Sequence, residues 1–361
     1  TPDDRLAIVA IGGFTTIWAA SMAVVNTDIK RVVAYSTISQ LGYMVLAVGA
    51  GFAMVGLYHL FTHAFFKALL FLAAGSVIHA VGTQDLFKMG GLRKSMRVTY
   101  VAFAVGALSL SGIPPFAGFW SKDDVLASVY SAAQSNPAYW PFLIFAYATV
   151  FLTAYYIFRA WYLAFGGDHG RDPGLPHAHE GPWTMQVPLV VLSALAVVAG
   201  LFAFVPSFAS LLSVGSGGIP PTYGTTDLVL SGVSVGLGIA GIGLAALLWG
   251  NGRVYVLAPD SALQPVRTVL LNRYYVKAFY DWVGLTLVYG GSRLADWFER
   301  YVIDGTIHGF ERLGTAASNA LRRGQSGLVS DYASYVVVGV IGLLLLLLFI
   351  APLVLASVGG P

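Results

Sequence analysis

The 361-residue sequence has no cysteine, so a disulfide, a zinc–thiolate centre or an iron–sulfur cluster held by this chain is excluded. Charge is almost as scarce. Asp, Glu, Lys and Arg make up 10% of the residues and the net charge is only +3, whereas a water-soluble domain carries about 25% charged residues. Phosphate-cradling glycine loops, nucleophile elbows and basic runs interleaved with aromatics are also missing, which removes nucleotide hydrolysis, serine-hydrolase chemistry and nucleic-acid binding from the candidate functions. No signal peptide opens the chain, which starts at Thr1-Pro2 rather than at Met. That start is expected of a processed, engineered or partial sequence preceded by further helices.

What the sequence has in abundance is apolar length. Hydrophobic residues reach 57% and the mean hydropathy is +0.73, so lipid must be the solvent for most of the surface. Apolar runs bounded by charged or Gly/Pro-rich breaks predict eight membrane spans, near 5–25, 33–50, 55–80, 98–131, 138–165, 185–205, 228–249 and 333–356. The expected fold is all-α, a polytopic transmembrane helical bundle. The second span carries Tyr35, Ser36, Thr37, Ser39, Gln40 and Tyr43 and is expected inside the bundle rather than against lipid. The fourth is too long for one span and holds Ser111-Gly112-Ile113-Pro114-Pro115 at its middle. Two consecutive prolines cannot sit within a continuous helix, so a broken helix is predicted, its free backbone groups facing protein or a water-filled cavity.

Laying the spans end to end sorts the basic residues. Lys67, Lys122 and Arg159 fall inside spans, Arg5 falls on one side, and every other Lys and Arg falls on the opposite side. An excess of basic residues marks the cytoplasmic face. On that face, between about 271 and 326, apolar residues such as Phe279, Trp282, Trp297, Phe298, Tyr301, Ile307 and Phe310 recur mostly at three- and four-residue steps among Lys277, Asp281, Asp296, Arg300 and Glu311. This pattern predicts a long lateral amphipathic helix, roughly 80 Å at full length. Gly290-Gly291 and Gly305 are its candidate bends. Because it is longer than the footprint of its own bundle, it is expected to reach a neighbouring subunit.

Two constellations point to chemistry. His59, His63 and Lys67 stand at i, i+4 and i+8 of the third span and therefore share one helix face. A charge at the bilayer centre costs at least about 2.5–3.5 kcal/mol, which argues that this face is turned away from lipid. Histidine titrates near neutrality, so such a stripe can pass protons along. Other readings of the stripe are a set of hydrogen-bonded core residues, a metal pair on the His-x-x-x-His spacing, and a haem pair completed by His79. The second constellation is Trp120-Ser121-Lys122-Asp123-Asp124, one or two turns after Pro114-Pro115. A lysine beside carboxylates at a broken helix resembles the midplane ion site of transporters, and a structural ion pair at the membrane edge is its alternative. His177, His179 and Glu180 read as a solvated connector, and Arg159 as a residue that snorkels.

The runs Asp28 to Tyr43, His59 to Gly75 and Gly118 to Asp123 closely resemble the antiporter-like subunits of respiratory complex I, and the long surface helix followed by a final span resembles the L type among them. The resemblance implies a core of two inverted five-helix repeats, of which the first five spans here would be the second. It implies a proton relay through His59, His63 and Lys67, and a terminal lysine, Lys122, with Asp123 beside it. The domains expected are 1–166 for the repeat, 167–250 for two further spans, 251–330 for the lateral helix and 331–361 for an anchor span. The family's first repeat, with its glutamate–lysine pair, is not in this sequence. The resemblance also implies location in the cell inner (plasma) membrane, partnership with other complex I membrane subunits and lipid, and FMN, iron–sulfur clusters and quinone on other subunits with no cofactor here. A subunit of a multisubunit sodium/proton antiporter shares the relay residues and is the first alternative, although its large subunit usually continues into further spans. A structural clamp without pumping is the second.

Overall fold

In hydrocarbon an unpartnered backbone N–H or C=O costs several kcal/mol, and a helix satisfies them all within one segment. The computed structural model describes residues 2–167, 178–205, 225–250 and 261–358, with single positions at 208, 210 and 254. Each apolar run among them is helical: α1 (Pro2–Val25), α2 (Ile29–Gly49), α3 (Ala53–Val81), α4 (Arg97–Ser111), α5 (Ala117–Ser135), α6 (Trp140–Phe165), α7 (Trp183–Val198) and α8 (Thr225–Trp249). Among the described residues seven helices, including the final one, are long and apolar enough to cross a membrane, and Arg97–Ser111 is a shorter apolar helix. The chain is an all-α polytopic bundle. It divides into two compact units, Thr1–Val276 and Lys277–Pro361.

Within the first unit α1 and α2 run antiparallel, with Val9, Gly12 and Thr16 facing Gly49, Leu46 and Gly42 in turn. At one end the loops after α1, α3 and α6 meet. Ile29 N–H donates to the Gln84 carbonyl at 3.0 Å, Leu86 to Thr27 at 2.8 Å and Gly91 to Gly166 at 3.1 Å. At the other end Arg5, Ala50, Ser135, Asn136 and Tyr139 line one depression, which brings together the start of α1 and the ends of α2 and α5. Helices α1 and α2 touch backbone to backbone. A Cβ on Gly12 would lie 2.5 Å from Leu46 N, and one on Gly42 only 2.7 Å from Thr16 N, an approach only glycine allows.

The predicted break is present between α4 and α5. Helix α4 ends at Gly112, whose φ of +76° is the left-handed conformation favoured by glycine. The Pro114-Pro115 bond is cis, and α5 restarts at Ala117. The two halves overlap tightly: a Cβ on Gly118 would sit 1.8 Å from the Ser109 carbonyl oxygen, and Gly118 N–H donates to Ser109 Oγ at 3.1 Å. The ends of both half-helices thus sit inside the bundle with their backbone groups answered by protein.

Two polar residues read as solvated from sequence are structural. Arg159 does not snorkel. It is 3% exposed, its Nη1 donates to the carbonyls of Val24 at 3.0 Å and Asn26 at 2.8 Å, and its guanidinium lies 5.0 Å from the Trp249 ring. The end of α1 offers carbonyls that no helix turn can satisfy, and the arginine of α6 caps them. Glu180 likewise caps α4, accepting from Val98 N–H at 2.9 Å and Thr99 N–H at 3.3 Å. His179 beside it is exposed, and His177 lies outside the described residues.

The amphipathic helix begins at Val276 rather than near 271, because Arg273, Tyr274 and Tyr275 all take positive φ and break the chain after Gln264–Leu271. That turn is held on α1, where Tyr274 Oη pairs with Ser21 Oγ at 2.8 Å. In the second unit the helix passes unbroken through Gly290-Gly291 and Gly305 to Gly324, with π-helical turns at Val283–Val288 and Glu299–Asp304. A π turn inserts one residue into a helix and rotates the apolar stripe that follows. Trp297, Phe298, Tyr301 and Phe310 on this helix are each at least 50% exposed. Val329–Val358 forms the last helix.

Candidate functional site

Helix α3 is the spine of the site. His59, His63 and Lys67 are 0%, 5% and 4% exposed, whereas Leu57 and Leu60 on the same helix are 52% and 44% exposed. The polar stripe therefore faces protein, as the cost of a charge in lipid requires.

Each stripe residue meets a polar group from α2 or α5, or is left seeking one. His59 Nδ1 lies 2.9 Å from Ser121 Oγ and Nε2 lies 3.0 Å from Gln40 Oε1. With the amide as assigned, this is the neutral ring with its proton on Nε2, and a reversed amide would serve the other tautomer. Both ring nitrogens are engaged by hydrogen bonds, which disfavours the metal-pair reading of the spacing. Thr62 Oγ1 joins the same hydroxyl of Ser121 at 2.6 Å. His63 stacks edge-on against Phe66 at 5.3 Å and stands 6.1 Å from the His59 ring. Its buried Nε2 has no hydrogen-bond partner among the described residues. Lys67 Nζ donates to the Val33 carbonyl at 3.1 Å and to Ser36 Oγ. His79 is exposed and stands apart from this group.

Lys122 occupies the break. It is fully buried, and its Nζ donates to the Leu110 carbonyl at 2.7 Å, one of the acceptors stranded where α4 stops. The ammonium also lies 5.7 Å from the centre of the Tyr43 ring. Gly112 lies against this amine, where a Cβ would make only ordinary contact with Lys122 Cδ at 3.5 Å; what calls for glycine is the φ of +76° that stops α4 beside Leu110. Helix breakage and lysine placement are therefore one feature. Asp123, by contrast, makes no ion pair with Lys122 among the described residues. Adjacent helix positions diverge by about 100°, and Asp123 turns to α8, where its Oδ1 accepts from Ser234 Oγ at 2.8 Å.

Residues 2–153 match the transmembrane family described as NADH:quinone oxidoreductase/Mrp antiporter. Over 96% of its length the chain is 34% identical to F(420)H(2) dehydrogenase subunit L of Methanosarcina mazei. Over 91% it is 35% identical to NADH-quinone oxidoreductase subunit L of Rickettsia felis. Residues 2–153 belong to this antiporter-like family. The chain spans about half the length of the relatives it matches, 55% and 53% of these two. The Mrp complex from Dietzia sp. DQ12-45-1b shares the fold, with a TM-score of 0.51 and 22% identity, over 64% of this chain and 49% of that one.

In this antiporter-like chain the lysines and histidines that stand out in the sequence are joined by residues that do not. Ser36, Gln40, Thr62 and Ser121 supply the hydrogen bonds between them, and Tyr43 the aromatic face. The signal for the α2 residues is the polarity of a span that ought to be apolar. For Ser121 it is only adjacency to Lys122.

Proposed function

We propose that this chain is an L-type proton-translocating subunit in the membrane arm of an NADH:quinone oxidoreductase. The observation that carries the reading is the buried seam. Lys67 on Ser36, the His63 and His59 rings, the Ser121 and Thr62 hydroxyls, and Lys122 at the broken helix succeed one another inside an apolar bundle. Titratable groups withdrawn from lipid and linked by reorientable hydroxyls, amides and imidazoles form a path along which a proton's preferred seat can be switched. Charge arriving from quinone reduction elsewhere would alternate the proton's preference between Lys67 and Lys122, with His59 and His63 between them. Release would follow from Lys122 toward the periplasmic side, with Asp123 and Ser234 beside it.

The remaining features fit the same reading. Residues 1–166 act as one five-helix repeat, 167–250 add two spans, the segment 251–330 carries the lateral helix, which begins at Val276 and lies on the cytoplasmic face, and 331–361 anchor its far end. The lateral helix clamps neighbouring antiporter-like subunits in the cell inner membrane. FMN, iron–sulfur clusters and quinone sit on other subunits. Related proteins are named for F(420)H(2), NAD(P)H or NADH, which is expected if the electron donor is chosen by a different chain.

The test is Lys122→Met in the assembled complex. The methionine keeps the volume and removes the proton-carrying amine, so NADH-driven acidification of vesicles should fall by at least about tenfold, the equivalent of 1.4 kcal/mol on a rate, with assembly intact. Full pumping in that variant removes Lys122 from the path.

A further inference from the structure

Helix α6 contributes two buried hydroxyls that the relay so far does not use. Tyr156 and Thr153 are both fully buried, and neither hydroxyl has a hydrogen-bond partner among the described residues. They are three residues apart, hence on the same face of α6, which packs on α2, and Thr153 and Ser36 are the side chains whose hydroxyls bear on that of Tyr156. Ser36 is the group that seats Lys67. It donates its own proton to the Val33 carbonyl at 2.9 Å, which leaves two acceptor positions on its oxygen. Lys67 Nζ takes one of them.

We propose that Tyr156, backed by Thr153, is a positioning residue for Lys67, donating its hydroxyl proton to the second acceptor position of Ser36 and so fixing the seat from which the amine gives and takes its proton. Thr153 donates to the tyrosine oxygen, Tyr156 to Ser36, and Ser36 to Val33. Every donor in the row then has an acceptor, and the two hydroxyls no longer carry the penalty of about 1–3 kcal/mol that a buried unsatisfied polar group incurs. When Lys67 is neutral or swings toward His63, the tyrosine keeps Ser36 in place. The last helix of the repeat thereby takes part in the relay through α2, without touching the transferred proton.

The inference rests on the proposed proton pathway, and a double-mutant cycle separates the two. In the assembled complex, Tyr156→Phe keeps the ring and its packing and should lower protons pumped per NADH oxidised by about three- to tenfold. Thr153→Val should act in the same direction and more weakly, and Thr153→Ser should restore the native value. Because Tyr156 acts through Ser36, adding Tyr156→Phe to Ser36→Ala should produce no further loss. The inference is overturned if Tyr156→Phe pumps normally, or lowers pumping by the same factor in the Ser36→Ala background. Should Tyr156→Phe fail to assemble, Thr153→Val against Thr153→Ser decides: equal pumping by the two overturns it. Lys67→Met in parallel tests the pathway itself. If it pumps fully, the pathway is wrong; if it is defective while Tyr156→Phe is not, only the role of Tyr156 falls.

Discussion

The arrangement of Lys122 shows how a basic side chain is accommodated where no carboxylate among the described residues pairs with it. The stranded Leu110 carbonyl and the Tyr43 ring stabilise an ammonium without committing it to a carboxylate, so the proton can leave without breaking a salt bridge. Arg159 shows the opposite use of a cation, permanently charged and fastened to two carbonyls. The two are distinguishable by experiment. Arg159→Lys loses the reach of Nη1 to the two carbonyls and the planar group set against the Trp249 ring, and Arg159→Met leaves both carbonyls unanswered, at about 1–3 kcal/mol each. Thermal denaturation of the detergent-solubilised complex should show Met more destabilising than Lys, and Lys more than wild type. A snorkelling arginine would give identical curves for Lys and wild type. That difference was not legible in the sequence, because Arg159 stands near a span end, where the nearest polar partner is by default water, and its acceptors are contributed by a loop more than 130 residues away.

Among elements, the broken helix was the most legible. Ser111-Gly112-Ile113-Pro114-Pro115 cannot continue a helix, and the surrounding apolar length places it at membrane depth. What the motif does not reveal is that the two halves overlap, with Gly118 against the Ser109 carbonyl. The contrast between glycines gives a prediction. Gly118→Ala would drive a Cβ to 1.8 Å from a backbone oxygen, and the overlap cannot relax without separating α4 from α5, so assembled protein should be nearly absent on a native gel. Gly82→Ala, at φ +71° with nothing within 4 Å, incurs only the left-handed backbone penalty of about 1–2 kcal/mol and should assemble with a lowered melting temperature. The amphipathic helix was legible in its period but not in its start or its two π turns. Three consecutive left-handed residues at Arg273–Tyr275 are no signature of their side chains; they follow from docking Tyr274 on Ser21 and Trp18.

Across the whole molecule the two units differ in kind. The first buries its polar stripe and exposes apolar side chains suited to lipid. The second presents an amphipathic helix whose exposed aromatics alternate with the ion pairs Lys277–Asp281 and Arg300–Asp296. Exposed pairs of this kind contribute about 0–1 kcal/mol, so the apolar stripe is the part able to hold a neighbour. Replacing Trp297 and Phe298 together by glutamate should lower the amount of assembled complex several-fold, while pumping per assembled complex stays near the native value. Loss of pumping without loss of assembly would assign the helix a role in transfer instead of attachment.

The sequence by itself determined the solvent, the helical order, the broken helix and the titratable stripe, because apolar length, paired prolines and the 3.6-residue period act within one segment and need no partner to be felt. Tertiary structure alone decided which atoms answer those groups: Ser36 for Lys67, Gln40 and Ser121 for His59, the end of α4 for Lys122, and Ser234 rather than Lys122 for Asp123. Such pairings depend on where separate helices cross, and a hydroxyl or a stranded carbonyl becomes part of a site only when packing brings it within 3 Å of something that needs it.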